Sequence, residues 1–61
     1  MLEPSEIKSI RKALGWTQKQ LAAHLGVTNI SVYKWEKGIA KPHPTFNMKI
    51  EELRDGSRPE A

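Results

Sequence analysis

The sequence predicts a compact all-α domain built from four short helices. Apolar side chains recur at the i, i+3, i+4 and i+7 spacing that marks the buried face of a helix. Glycine or proline separates each such segment from the next, and both residue types mark helix ends. The 61 residues are enough for one domain. We expect it to occupy residues 1–55, with a disordered tail at residues 56–61 that carries no core side chains.

The first helix is predicted over about residues 4–14. Pro4 suits the first helical position, because its missing N–H would have no partner there. Ile7, Ile10 and Leu14 follow helical spacing and form one apolar stripe. Gly15 is expected to end the helix in a left-handed conformation.

The second helix is predicted to begin just after Thr17. Thr17 and Gln20 have the spacing of a capping box, and Trp16 and Leu21 have the spacing of a hydrophobic staple. Trp16 is therefore interpreted as a packing residue. Gly26 is expected to end this helix.

The third helix is predicted to begin after Thr28, a good N-cap residue, and to end before Gly38. Only three residues, beginning with Gly26, separate it from the second helix. A turn this short that contains glycine is typical of a helix-turn-helix motif. The motif is expected to cover about residues 18–37.

A fourth helix is predicted from Pro44 to about Arg54. Phe46, Ile50 and Leu53 provide its apolar stripe at i, i+4 and i+7. The preceding residues, 39–43, are expected to form a loop.

Composition and charge narrow the range of functions. Cysteine is absent and the two histidines are far apart, so neither a disulfide, a metal site nor a cofactor is expected. No apolar run approaches the ~18 residues of a membrane span, and the cytoplasm is the expected compartment. Between residues 7 and 49, eight basic side chains accompany one acidic side chain, a local net charge of +7. The other six acids lie near the two ends, so the basic middle fits a polyanionic partner.

The outward face of the third helix can be predicted from its side chains. Successive helical residues are rotated by about 100°, so Ile30 and Val32 point about 200° apart. Val32 shares a side with Trp35, whereas Ile30 shares one with Lys34 and Lys37. Because unpaired lysines are costly to bury, the lysine side is expected to face solvent. The predicted exposed face consists of Asn29, Ile30, Tyr33, Lys34 and Lys37.

The chemistry of this face suits the major groove of DNA. An asparagine can bond the N6 and N7 edge of adenine, an isoleucine can touch a thymine methyl group, and a lysine can reach guanine or a phosphate. An exposed isoleucine beside an exposed tyrosine would equally suit a contact with another protein.

The order and spacing of the residues described above resemble those of a known protein family. The chain reads Ile-Arg-Lys-Ala-Leu-Gly-Trp-Thr-Gln over residues 10–18, then Leu21-Ala22, Leu25-Gly26-Val27-Thr28 and Trp35-Glu36-Lys37-Gly38. This spacing resembles the Cro and lambda-repressor (XRE) family of helix-turn-helix proteins, over about residues 7–53. The resemblance implies a lambda-repressor-like fold and a sequence-specific regulator of transcription, a repressor that binds double-stranded DNA. Because a single copy would make few contacts with DNA, we expect two copies to bind, as a homodimer or as paired monomers.

The resemblance also implies roles for individual residues. Gln18 matches a residue that bonds a phosphate and supports an amide of the recognition helix. Arg11 and Glu36 match a partly buried salt bridge; Glu36 contacting a cytosine amino group is the alternative. Base contacts are implied for Asn29, Ile30, Tyr33 and Lys34, and phosphate contacts for Thr28, Lys37, Lys41 and the loop near His43. The predicted DNA-binding set consists of Thr17, Gln18, Thr28, Asn29, Ile30, Tyr33, Lys34, Lys37 and Lys41.

The sequence also bears on three functions other than DNA binding. The alternative is a protein-interaction module, antitoxin-like or an adaptor, that docks through Ile30 and Tyr33. An enzyme is not expected, because His24 and His43 lack a neighbouring group that would orient them for catalysis. For RNA binding, the sequence lacks the aromatic stacking platform that single strands require.

Overall fold

The computed structural model describes residues 2–56 and confirms the all-α fold. Its four helices are α1 (Pro4–Ala13), α2 (Gln18–Leu25), α3 (Asn29–Lys37) and α4 (Pro44–Arg54). The prediction of a disordered tail falls on residues outside the described range, apart from Gly56. Within that range no helix is both long and apolar enough to cross a membrane.

The N-terminal ends of the helices are fixed by side-chain caps. The Thr17 hydroxyl accepts the Gln20 amide N–H at 3.1 Å, and the Gln20 side chain accepts the Thr17 N–H at 2.8 Å, which completes the predicted capping box. Thr28 caps α3 by accepting the Ser31 N–H at 3.3 Å. His43, predicted only as a loop residue, also caps a helix, because its Nδ1 accepts the Thr45 N–H at 3.2 Å.

The turn between α2 and α3 depends on Gly26. Its φ of +78° lies in the left-handed region, which costs a side-chain-bearing residue more than glycine. This conformation lets the Val27 N–H reach the Ala22 carbonyl at 3.0 Å. The chain then turns within three residues into the cap of α3, as the helix-turn-helix prediction required.

All four helices contribute to one apolar core. Ile7, Leu21, Val32 and Ile50, one from each helix, are its most deeply buried large side chains. The half-buried Phe46 packs against this core and lies near Trp35, with ring centroids 5.9 Å apart. The predicted inward stripes of the four helices therefore meet at the centre of the molecule.

A polar contact joins the N-terminal segment to α4. The Leu2 amide N–H donates to Oδ1 of the buried Asn47 at 3.1 Å, and the Asn47 side-chain amide donates to Glu51 at 3.2 Å. Leu2 itself belongs to the core. The segment before α1 is thus anchored across the fold.

Candidate nucleic-acid interface

The two sides of α3 differ sharply in exposure. Val32 is fully buried and Trp35 is 6% exposed, whereas Ile30 is 59% exposed and Tyr33 is 45% exposed. Asn29, Lys34 and Lys37 are also exposed. The structure therefore places the five side chains predicted to face outward on the solvent side of α3.

A cation–π contact organises the C-terminal part of this face. The Lys37 ammonium lies 5.8 Å from the centre of the Tyr33 ring. Such contacts are worth about 0.5–1 kcal/mol at exposed sites. The face thus carries an amide, an apolar side chain and an aromatic ring with a neighbouring cation, a mixture that matches the donors, acceptors and methyl groups of the major groove.

The other residues in the predicted DNA-binding set lie outside the exposed face of α3. Thr17 and Thr28 are exposed at the starts of α2 and α3, but both hydroxyls already serve as caps. Lys41 is exposed in the loop before α4. The first N–H groups of a helix lack intrahelical partners and favour anions, so the two helix starts are chemically suited to phosphate.

Arg11 and Glu36 form an ion pair that joins α1 to α3. The Arg11 Nε donates to Glu36 Oε2 at 2.6 Å, and Nη2 donates to Oε1 at 3.1 Å. The third guanidinium nitrogen, Nη1, donates to the Trp16 carbonyl at 2.8 Å. Their side chains are only 11% and 4% exposed. This geometry favours the structural reading of Glu36 over a contact with cytosine.

Both charges are stabilised by this pairing. The hydrogen bond to Glu36 raises the pKa of Arg11 above its ordinary value, despite an opposing effect of burial. Burial alone would raise the pKa of Glu36, but hydrogen bonds from Arg11 and Gln18, with the charges of Arg11 and Lys8, lower it below its ordinary value. Glu36 is therefore a carboxylate at neutral pH.

Gln18 takes part in the same network. Its side-chain Nε2 donates to Glu36 Oε1 at 3.0 Å, which joins the first residue of α2 to the last turn of α3. The resemblance pointed to a recognition-helix amide as the neighbour of Gln18. In the described structure, the hydrogen-bond partner of its side-chain amide is Glu36. No local sequence signal indicates this contact, since the two residues lie 18 positions apart.

The two histidines lie at separate places in the fold. His24 is exposed and its ring lies beside Trp16, with centroids 5.2 Å apart. His43 is the cap of α4. Among residues 2–56, no group of three or more histidine, aspartate or glutamate side chains is arranged to hold a metal ion.

The short turn between α2 and α3, with the exposed face of α3, defines a helix-turn-helix DNA-binding domain. The sequence profile of the helix-turn-helix family matches residues 7–53, and the chain belongs to that family, in its Cro and lambda-repressor (XRE) branch. Members of this family are DNA-binding regulatory domains and are not typically enzymes.

A relative in Methanocaldococcus jannaschii carries the provisional name of HTH-type transcriptional regulatory protein. The chain is 37% identical to it over 49 residues. The aligned part covers 80% of this chain but only 15% of the relative. No solved structure matches the chain.

Proposed function

We propose that the chain is a sequence-specific regulator of transcription that acts as a repressor by reading the major groove with α3. The observation that carries this proposal is the division of α3 into a buried face and an exposed face, the latter containing Asn29, Ile30 and Lys34. These three side chains match the edge of adenine, the methyl group of thymine and the acceptors of guanine. Bound in the cytoplasm at a promoter, the domain would repress by occupying the site.

Phosphate contacts would fix the orientation of α3 in the groove. Phosphate contacts position a protein on DNA, and base contacts specify the sequence. Gln18 and Thr28 stand at the starts of α2 and α3, where free N–H groups favour anions. Lys37 and Lys41 are exposed and supply cations at the end of α3 and in the following loop.

We propose that two copies act together on DNA. One helix of nine residues reaches few base edges, and a single small module makes a limited interface. Two copies related by two-fold symmetry would bind half-sites about 34–36 Å apart, or one helical turn of DNA.

The experiment that tests this function is selection from a library of random DNA duplexes at two salt concentrations, followed by sequencing of the bound fraction. We expect an enriched palindrome and weaker binding at the higher salt concentration, because phosphate contacts release counterions. An unpaired half-site would contradict the two-copy model alone. Absence of enrichment at both salt concentrations would contradict sequence-specific binding.

Two substitutions separate the base-reading role from the phosphate-binding role. Asn29→Ala is expected to reduce discrimination between the selected site and random DNA, by about 5- to 150-fold for a bidentate contact worth ~1–3 kcal/mol. Lys37→Ala is expected to weaken binding to both DNAs alike. Affinities for the two DNAs, measured by fluorescence anisotropy, give both ratios. Unchanged discrimination in the Asn29 variant would place the recognition face elsewhere.

The exposure of Ile30 supports a second candidate, a protein-interaction module. Ile30 is 59% exposed next to Tyr33, and exposed apolar groups of this kind also mark protein contacts. The two candidates differ in salt dependence. DNA affinity should fall steeply with salt, with a log–log slope of about −0.9 per neutralised phosphate. An apolar protein contact should change little.

A further inference from the structure

We propose that Glu36 is a positioning residue for DNA binding, because its buried carboxylate holds the side-chain amide of Gln18 in the orientation that meets a phosphate. This inference rests on the proposed function, and it assigns to Glu36 a role beyond the ion pair with Arg11. Glu36 itself has too little exposed surface to contact DNA, at 4% of its side chain. Its effect would therefore pass through Gln18.

The hydrogen bonds around the carboxylate fix its orientation. Glu36 Oε2 accepts Arg11 Nε at 2.6 Å, and Oε1 accepts both Arg11 Nη2 at 3.1 Å and Gln18 Nε2 at 3.0 Å. Bonds between charged groups of this kind are short and directional. Since two of the three donors belong to one rigid guanidinium group, the oxygen that faces Gln18 has little freedom to move.

The Gln18 side-chain amide has more hydrogen-bonding groups than the bond to Glu36 uses, and these could bind a ligand. An amide nitrogen carries two N–H groups, and its oxygen can accept two hydrogen bonds. Glu36 occupies one N–H, and the side chain is only half-buried at the first position of α2. Among residues 2–56 the second N–H has no hydrogen-bond partner, and Gln18 lies at the start of α2, where the backbone also favours an anion.

Arg11 holds the backbone of the same region. Its Nη1 donates to the Trp16 carbonyl at 2.8 Å, immediately before the α2 cap residue Thr17. One ion pair thus fixes the side chain of Gln18 and the backbone that leads into α2, both relative to α3. The spacing between the phosphate-binding part and the base-reading part of the domain would then be set before DNA binds.

The expected gain in affinity comes from preorganisation. A long side chain immobilised on binding loses rotamer freedom, and a side chain already held in place avoids much of that loss. The corresponding effect is roughly 2- to 12-fold in affinity for one side chain. Because the contact is to a phosphate, the effect should appear on DNA of any sequence.

The test is a double-mutant cycle between positions 36 and 18. Glu36→Gln keeps the shape, but one carboxylate oxygen becomes an NH₂ group. The remaining oxygen is expected to stay with the shorter Arg11 bond, so that a donor faces the Gln18 donor. Affinity for a short mixed-sequence duplex at low salt is measured for the original chain, Glu36→Gln, Gln18→Ala and the double variant.

Two controls make the cycle interpretable. Glu52→Gln removes a charge from an exposed position of α4 and measures the general effect of net charge on DNA affinity. Circular dichroism at the assay temperature gives the folded fraction of each variant, and affinities are corrected for it. Relative to Glu52→Gln, we expect Glu36→Gln to weaken binding roughly 2- to 12-fold. In the Gln18→Ala background this additional loss should disappear.

The outcomes separate this inference from the proposed function. Equal losses in both backgrounds would make Glu36 purely structural and overturn the inference, as would the absence of any loss. If the original chain itself does not bind the duplex, the phosphate contacts of the proposed function are rejected, and this inference is rejected with them. If it binds and the cycle shows no coupling, only the role of Glu36 is rejected.

A second measurement covers the case in which Glu36→Gln does not fold. Side-chain amide NMR signals of Gln18 are followed in the original chain while the duplex is added. We expect one proton to keep the shift and slow exchange of a hydrogen bond to Glu36, while the other moves on binding. Loss of the first signature on DNA, or no movement of the second proton, would overturn the inference.

Discussion

Arg11 joins three parts of this domain through its hydrogen bonds. Its three guanidinium nitrogens bond the Glu36 carboxylate and the Trp16 carbonyl, and thereby connect α1 with α3 and with the segment before α2. Both charges are largely withdrawn from solvent. Loss of either partner would leave an uncompensated charge in the interior, which is more costly than the pair itself is stabilising.

At the residue scale, Arg11→Ala is expected to lower the free energy of unfolding by about 3–5 kcal/mol, because it leaves the Glu36 carboxylate buried and unpaired. Urea denaturation followed by circular dichroism measures the change. Arg54→Ala is the matched control, since Arg54 is 45% exposed and its ion pairs are on the surface. That control should shift stability by less than about 1 kcal/mol. Similar losses in both variants would contradict a buried charge at position 36.

The pKa of Glu36 predicts how stability depends on pH. Its pKa in the folded chain is lower than its ordinary value of 4.5. The stabilising effect is therefore complete above that ordinary value and is lost as the pH falls through the lower, folded pKa. Thermal unfolding of the original chain should show a steeper acid loss than that of Glu36→Gln, whose side chain does not titrate. Equal acid slopes would mean that Glu36 is not the group responsible.

At the scale of the elements, α2 and α3 use the same devices at both ends. Each begins after a threonine that caps the first turn, and each ends at a glycine with positive φ. Because caps act within a few residues of chain, their sequence signals are local. Such local signals are why the two helices of the motif were predictable from the sequence.

Gly26→Ala tests the turn between these helices. Nothing lies within 4 Å of an added Cβ atom at this position, so its cost would come from backbone conformation alone. A left-handed residue with a side chain costs roughly 1–2 kcal/mol. Chemical denaturation should show a loss of that size. A chain synthesised with D-alanine at position 26 should show no such loss, because D-residues favour positive φ. An equal loss in both would contradict a conformational origin of the cost.

Hydrogen bonds between residues far apart in the sequence could not be predicted from local sequence signals. The hydrogen bond from Gln18 to Glu36 joins two helices, and that from Leu2 to Asn47 spans 45 positions. Neither partner of such a pair marks the other along the chain. The exposed face of α3 was predictable because helical rotation and the cost of burying lysines depend on α3 alone. The Arg11–Glu36 contact was expected from the family resemblance.

The whole molecule depends on a small core. With 61 residues, a total stability on the order of 3–9 kcal/mol is typical. Its most buried large side chains are one from each helix, so every helix contributes to the same core. Loss of one such side chain should therefore affect the whole domain together rather than one helix.

Leu21→Ala tests that dependence. Truncation of a buried leucine costs about 2–5 kcal/mol, which is a large part of the total expected here. Leu21 is fully buried on α2. We expect one cooperative transition at a clearly lower urea concentration when α-helix content and tryptophan emission are followed together. Met48→Ala is the control, since Met48 is 60% exposed; a comparable shift in that variant would contradict the core described here.

The distribution of aromatic side chains gives the molecule two separate optical reporters. Its two tryptophans belong to or pack against the core, whereas its single tyrosine, Tyr33, stands on the outer face of α3. The fluorescence of the two indole rings therefore reports folding. The phenol ring of Tyr33 is available to a reagent in solution such as tetranitromethane. Nitration of Tyr33 with and without a bound macromolecule would show directly whether that ring is covered, with no amino-acid substitution in the chain.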